Sequence, residues 1–225
     1  MNIFTKIPQK TIVITEKQLH EAMKDGFSFE TLENIGTFKG RKRYCDKYLG
    51  VTIGSGSSRV VYSIDDEKCL KLAKNPKGIA QNEAEVNSGA SEYEVGPEIF
   101  KVADNYSYIV SEYVLPAKPN DFKHCLGISF KDFCDFVALC FLSYADNREK
   151  MSVYFKPHKD EDYFYELINK NEFFENLYNY MNYEHIPFGD LTRIANYGMC
   201  LRDGKPQIVV LDSGFTMETM ELYRR

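Results

Sequence analysis

The chain has 225 residues, a formal charge of -5, 44% hydrophobic residues and no tryptophan, enough to bury a core as one domain or two small units. The acidic balance argues against nucleic acid as the partner. No run approaches the ~18 apolar residues of a membrane span and Met1 to Lys6 lacks a signal-peptide core, so a cytoplasmic protein without membrane contact is expected.

The six cysteines, Cys45, Cys69, Cys125, Cys134, Cys140 and Cys200, include no Cys-x-x-Cys pair and read as reduced, mostly buried thiols. His124, Cys125, Cys134 and Cys140 match no zinc-ligand spacing. Thr11 to Ile14 reads as extended, and Thr15 with Gln18 opens a helix that Gly26 stops. A second short helix fits Phe29 to Ile35, closed by Gly36. Lys39 to Arg43, the one compact basic cluster, reads as a solvated loop. Residues 1–46 are therefore expected to form a helical extension that packs on the next unit or meets a protein partner.

From Tyr48 the period changes to two. Strands are expected at Tyr48 to Ile53, Arg59 to Ile64 and Cys69 to Ala73, joined by the turns Gly54 to Ser58 and Asp65 to Lys68. Gly54, Ser55 and Gly56 at a hairpin tip expose backbone N–H groups and let a ligand approach, which suits a cover over phosphates. Lys71 lies between Leu70 and Leu72 on the third strand, where neighbouring side chains point to opposite faces. The helix expected over Gly78 to Val86 offers Glu83 and Glu85, about 200° apart, so only one can face Lys71; Glu85 is favoured. Strands at Val95 to Val102 and Tyr106 to Val114, around Asp104-Asn105, complete a five-stranded antiparallel sheet. Leu115 to Pro119 reads as a boundary.

The second half reads as helical, over Ser129 to Tyr144 and Asp162 to Tyr183, with aromatic stripes that are core and Pro187 as a stop. Asp203-Gly204 is a strong hairpin signal between the runs ending at Met199 and beginning at Val209. That fold-back brings Asn196 towards Asp212, with Asp190 upstream. Oxygen ligands so grouped suit Mg2+, which takes one or two carboxylates and leaves its other positions to water and phosphates.

In this order the motifs resemble those of protein-kinase-like phosphotransferases. Gly54 and Gly56 resemble the first glycines of the Gly-rich loop and Val61 its trailing valine. Lys71 resembles the strand lysine, with Glu85 its helix partner. Glu112 to Val114 resembles the hinge whose backbone bonds adenine, Gly189-Asp190 the catalytic loop, and Asp212-Ser-Gly214 Asp-Phe-Gly. The resemblance covers residues 48 to 215 and implies a two-lobed α+β fold: residues 47–115 as a lobe with the five-stranded sheet and one helix, and residues 120–225 as a small, mainly helical lobe. It further implies ATP and Mg2+ as cofactors, Lys71 orienting phosphates, Asn196 and Asp212 binding the metal, and Asp190 accepting the acceptor's proton.

Three positions depart from the family's pattern. Phe188 stands where the family has His, Arg59 replaces the third glycine, and Asn196 follows Asp190 by six residues instead of five. Only eleven residues follow Gly214, too few for the platform that binds peptide substrates, so the chain resembles minimal kinase-like proteins of bacteriophages and mobile elements, which would act in the host cytoplasm. The competing expectations are a pseudokinase that acts by contact with a partner, and a structural component.

Overall fold

The structure is a computed structural model that describes residues 26–50, 52–144, 157–184, 188–202 and 204–211. The strand and helix expected over residues 11–25 lie outside the described residues. The architecture is α+β, with a five-stranded antiparallel sheet, a three-stranded sheet and several helices.

Helix α1 (Phe29–Asn34) is capped by Ser28, whose Oγ accepts from Thr31 N. Helix α2 (Phe38–Tyr48) is capped in the same way by Thr37, on Gly40 N. The basic cluster Lys39 to Arg43 therefore lies on a helix, not in a loop, and Tyr48 ends that helix instead of opening a strand. Tertiary packing explains both differences. The face of α2 that carries Cys45 and half-buried Tyr44 and Tyr48 packs with Leu49, just beyond its end, against the sheet, a stripe too sparse to outweigh the intervening charges in a periodicity count.

The large sheet contains β1 (Thr52–Ser55), β2 (Arg59–Ser63), β3 (Lys68–Ala73), β4 (Ile99–Val102) and β5 (Tyr108–Glu112), in the order β1-β2-β3-β5-β4. Helix α3 (Pro76–Asn87) follows β3 after only Lys74 and Asn75. Cross-strand partners share a face, so the register separates two rows of function. Val60, Tyr62, Leu70, Leu72, Tyr108 and Val110 lie on one face and form a core with Phe29, Leu32, Cys45 and Leu49 from the α1–α2 region. Polar contacts fasten this layer at its rim: Tyr62 Oη donates to Asp46 Oδ1 (2.7 Å) and Tyr108 Oη donates to Glu33. The opposite face carries Val61, Lys71 and Ile109 in one row, with α3 against it. With both faces covered, all six residues of β3 are buried, as expected for a central strand.

The chain then leaves the sheet through β6 (Leu115–Pro116) and enters α4 (Pro119–Leu126), α5 (Phe130–Tyr144), α6 (Glu161–Lys170), α7 (Glu172–Glu184) and the short turn α8 (Phe188–Leu191). Helix α4 was not anticipated, although Pro119 at its first turn and Gly127 after it, at φ +75°, are the usual start and stop. The single helix expected over 162–183 is two. Asn171 is extended, and its side chain accepts from Phe173 N at 3.0 Å, so it ends α6 and starts α7. The aromatic stripes are core as expected: Phe133, Val137, Cys140, Phe173, Leu177, Tyr180 and Met181 are all buried in one cluster.

Strands β7 (Tyr197–Arg202) and β8 (Lys205–Val210) pair from Tyr197–Val210 to Arg202–Lys205, the two-residue hairpin expected at 203–204, with Gly204 at φ +73°. β6 pairs with β7 at Met199 and Gly198. That approach needs Gly198, because a Cβ there would lie 2.9 Å from Val114 Cγ2 and 3.1 Å from Leu115 O. Among the described residues, no helix is long and apolar enough to cross a membrane.

Candidate functional site

The site is built on the α3 face of the large sheet. Gly54, Val61, Lys71 and Ile109 are mutual partners across β1, β2, β3 and β5, so the hairpin glycine and the strand lysine sit in one row, about 5 Å from strand to strand. Ser55 ends β1 and Gly56 opens the turn, whose closing bond runs from Gly56 N to Arg59 O (2.9 Å). The turn is held down onto the start of α3. Lys74 Nζ donates to Gly56 O, Asn75 Nδ2 donates to Ser57 O (3.1 Å), and Lys74 N donates to Ser58 O (2.8 Å). Gly78 allows this contact, because a Cβ there would collide with the Ser58 carbonyl and lie 3.0 Å from Ala73 Cα.

Lys71 pairs with Glu85, not with exposed Glu83. Its Nζ donates to Glu85 Oε1, and both residues are buried. The other carboxylate oxygen, Oε2, takes Arg59 Nη1 at 2.5 Å. Arg59 Nη1 also donates to Asn82 Oδ1 (3.3 Å), while Asn82 Nδ2 donates to Tyr106 O (2.9 Å) and Lys71 O (3.4 Å). Burial raises the Glu85 pKa, but the attraction and hydrogen bonds of Lys71 and Arg59 outweigh it and hold the carboxyl below the ordinary glutamate range. Glu85 is therefore an ionised carboxylate clamped by two cations from neighbouring strands.

Arg59 and Asn82 were missed from sequence, and a signal for Asn82 was present. The core-facing stripe of α3 is Gly78, Gln81, Asn82 and Glu85, all buried. Polar residues at core spacing on a helix announce a buried polar network, since each must find a partner. For Arg59, nothing local distinguishes it from a solvent-facing residue at a strand start.

Glu112 ends β5. Its carboxylate is engaged by Arg202 Nη2 (2.8 Å) and by Glu98 N (3.2 Å), and its backbone N donates to Glu98 O (2.8 Å). Burial lowers the Arg202 pKa, but the Glu112 carboxylate more than offsets this and raises it. Val114 follows in the connection to β6 and faces Gly198.

Asp190 belongs to the turn α8; its side chain and that of Phe188 lie outside the described residues. The stretch after it is fastened by Tyr197 Oη, which donates to Leu191 O at 2.6 Å in the core. Asn196 ends a 3-10 turn, and its carbonyl accepts from Leu211 N at 2.8 Å. The hairpin thus brings Asn196 against the residue before Asp212. Asp212 itself lies outside the described residues. Among the described residues, no group of three or more His, Cys, Asp and Glu could hold a metal ion; a metal pair of Asn196 and Asp212 would be completed only by the latter.

A separate cavity of about 510 Å3 lies on α4, the start of α7 and the β7–β8 hairpin, lined in part by Cys125, Phe173, Arg202 and Lys205. None of the residues around Lys71 lines it. Comparison with models of protein families, with curated proteins and with solved structures finds no match to this chain.

Proposed function

We propose that this chain is a Mg-ATP-dependent phosphotransferase of the protein-kinase-like type, with its sheet and helical part as the two lobes. The observation that carries the reading is the buried Lys71–Glu85 pair, set in one row with Gly54 and Val61 beneath a glycine-containing hairpin. A lysine fixed by a carboxylate is a preorganised donor for phosphate oxygens, and a hairpin without side chains at Gly54 in β1 and Gly56 in the turn leaves room for phosphates. The backbone bond between Asn196 and Leu211 supports the second half of the reading, in which Asn196 and Asp212 would together hold the metal.

ATP would supply the phosphoryl group, and Mg2+ would neutralise charge on its phosphates. The chain's residues would bind and orient: Glu85 holds Lys71, Lys71 would donate to phosphate, and the Glu112 to Val114 connection would take the adenine. Asn196 and Asp212 would hold the metal, and Asp190 would orient the acceptor hydroxyl and take its proton.

The second reading is a pseudokinase that binds nucleotide and acts by contact with a protein partner. Phe188 in place of His and the second cation on Glu85 favour it. Mg2+-dependent turnover of labelled ATP by the wild type, Asp190→Ala and Asp212→Ala separates the two. Turnover by the wild type that both variants lose is the expected result. ATP binding without turnover favours the pseudokinase, and absence of binding removes both readings.

A further inference from the structure

We infer that Arg59 is a positioning residue of the phosphate site, acting through Glu85 on Lys71 and coupling the hairpin cover to helix α3. This rests on the phosphotransferase reading and deepens it. Arg59 opens β2 on the same face as Val61 and Lys71, pairing with Ala73 where Val61 pairs with Lys71. Its carbonyl closes the glycine turn through Gly56 N, and its guanidinium reaches Glu85 Oε2 and Asn82 Oδ1. One residue thus joins the loop that would cover phosphates to the carboxylate that holds the lysine.

The two oxygens of Glu85 are divided between the two cations. With its side chain 2% exposed, Glu85 has little water to satisfy Oε2 if Arg59 leaves. The carboxylate would then turn to share Lys71 or take a proton, and in either case the ammonium loses its fixed direction. Asn82 holds the guanidinium in place, and its own amide is fixed by Tyr106 O and Lys71 O. The Arg59 side chain is 13% exposed and already committed to Glu85 and Asn82, which favours action through Glu85 over direct contact with phosphate. The pair is consequently assembled before any ligand arrives, because α3 is tied to β2 as well as to β3.

The test is equilibrium binding of ATP and of adenosine to the full chain, for the wild type, Arg59→Gln, Glu85→Gln and the double variant, each verified as folded by circular dichroism. Adenosine lacks the phosphates, so a change in global structure weakens both ligands while loss of lysine orientation weakens ATP alone. Loss of a charged hydrogen bond corresponds to about tenfold or more, so Arg59→Gln should lose that much ATP affinity and almost none for adenosine. The double variant should lose no more than the worse single one.

Unchanged ATP affinity in Arg59→Gln overturns the inference, as does an equal loss for both ligands. A double variant whose loss is the product of the two single losses also overturns it, in favour of direct phosphate contact. If Arg59→Gln does not fold, Arg59→Lys carries the same test. Its ammonium cannot bridge Glu85 and Asn82 as the guanidinium does, so a several-fold loss that vanishes in the Glu85→Gln background is expected; an unchanged affinity or a loss that persists there overturns the inference. A wild type that does not bind ATP removes the proposed function and this inference together. ATP binding indifferent to Arg59 removes only the inference.

Discussion

Replacing Glu85 by Gln removes the single carboxylate held between Lys71 and Arg59 while keeping its shape. The side chains of Glu85, Lys71 and Arg59 are 2%, 9% and 13% exposed, so the two cations are left with a neutral amide in a largely dry site. Breaking a buried pair in this way costs about 3–5 kcal/mol, mostly from the uncompensated charge left behind. In a chain of this size each kcal/mol moves Tm by roughly 2–4 °C, so a fall of about 6–20 °C is expected. Urea unfolding followed by circular dichroism measures the difference directly, with Glu83→Gln as the exposed control, expected within about 0.5 kcal/mol of wild type. The pH dependence has a defined sign. Glu85 is held below its ordinary pKa of 4.5, so its contribution is complete above that value and is lost as pH falls through the depressed folded value. Wild type and Glu85→Gln should therefore converge in acid and diverge towards neutrality. A neutral-pH difference below about 1 kcal/mol, the size of an exposed pair, would refute the buried-clamp reasoning.

Gly78→Ala should destabilise by about 1–3 kcal/mol in urea despite alanine's better helix propensity, because the added Cβ meets the Ser58 carbonyl and the Ala73 backbone. Leu32→Ala, on the helical layer over the sheet, should cost about 2–5 kcal/mol, since Leu32 is fully buried; a surface-like value would mean that α1 does not seal that face. Tyr197→Phe strands the Leu191 carbonyl in the core and should cost about 1–3 kcal/mol, with faster amide exchange over residues 191–196 than over β7.

Much of the frame was legible because its signals are local. Alternation through Arg59 to Ile64 and Cys69 to Ala73 marks strands wherever the chain goes. Asp203-Gly204 specifies a two-residue hairpin by its own backbone preferences, and the register of β7 and β8 follows from it. Helix geometry narrows the partner of Lys71 to one of Glu83 and Glu85, because the two positions on α3 point nearly opposite ways; packing against the sheet decides for Glu85.

What tertiary structure decided is non-local by nature. Helix α2 carries basic residues that read as solvated, and only the sheet face opposite Cys45 and Leu49 gives its sparse apolar stripe something to bury. Asn171 breaks a helix that periodicity alone would continue, because its side chain competes for the backbone where α6 and α7 must change direction. Above all, the partnership of Arg59 with Glu85 spans 26 residues. Alternation puts Arg59 on a face of β2, but only the folding of β3 and α3 across that face brings it to a carboxylate in need of a second cation. Sequence therefore determined β2, β3, the β7–β8 hairpin and that one helix glutamate faces Lys71, constraints that lie within a strand, a turn or a few helical turns, whereas the extents of α2, α4, α6 and α7 were set by packing. The surroundings of the Lys71–Glu85 pair depend on contacts between segments that no local preference specifies.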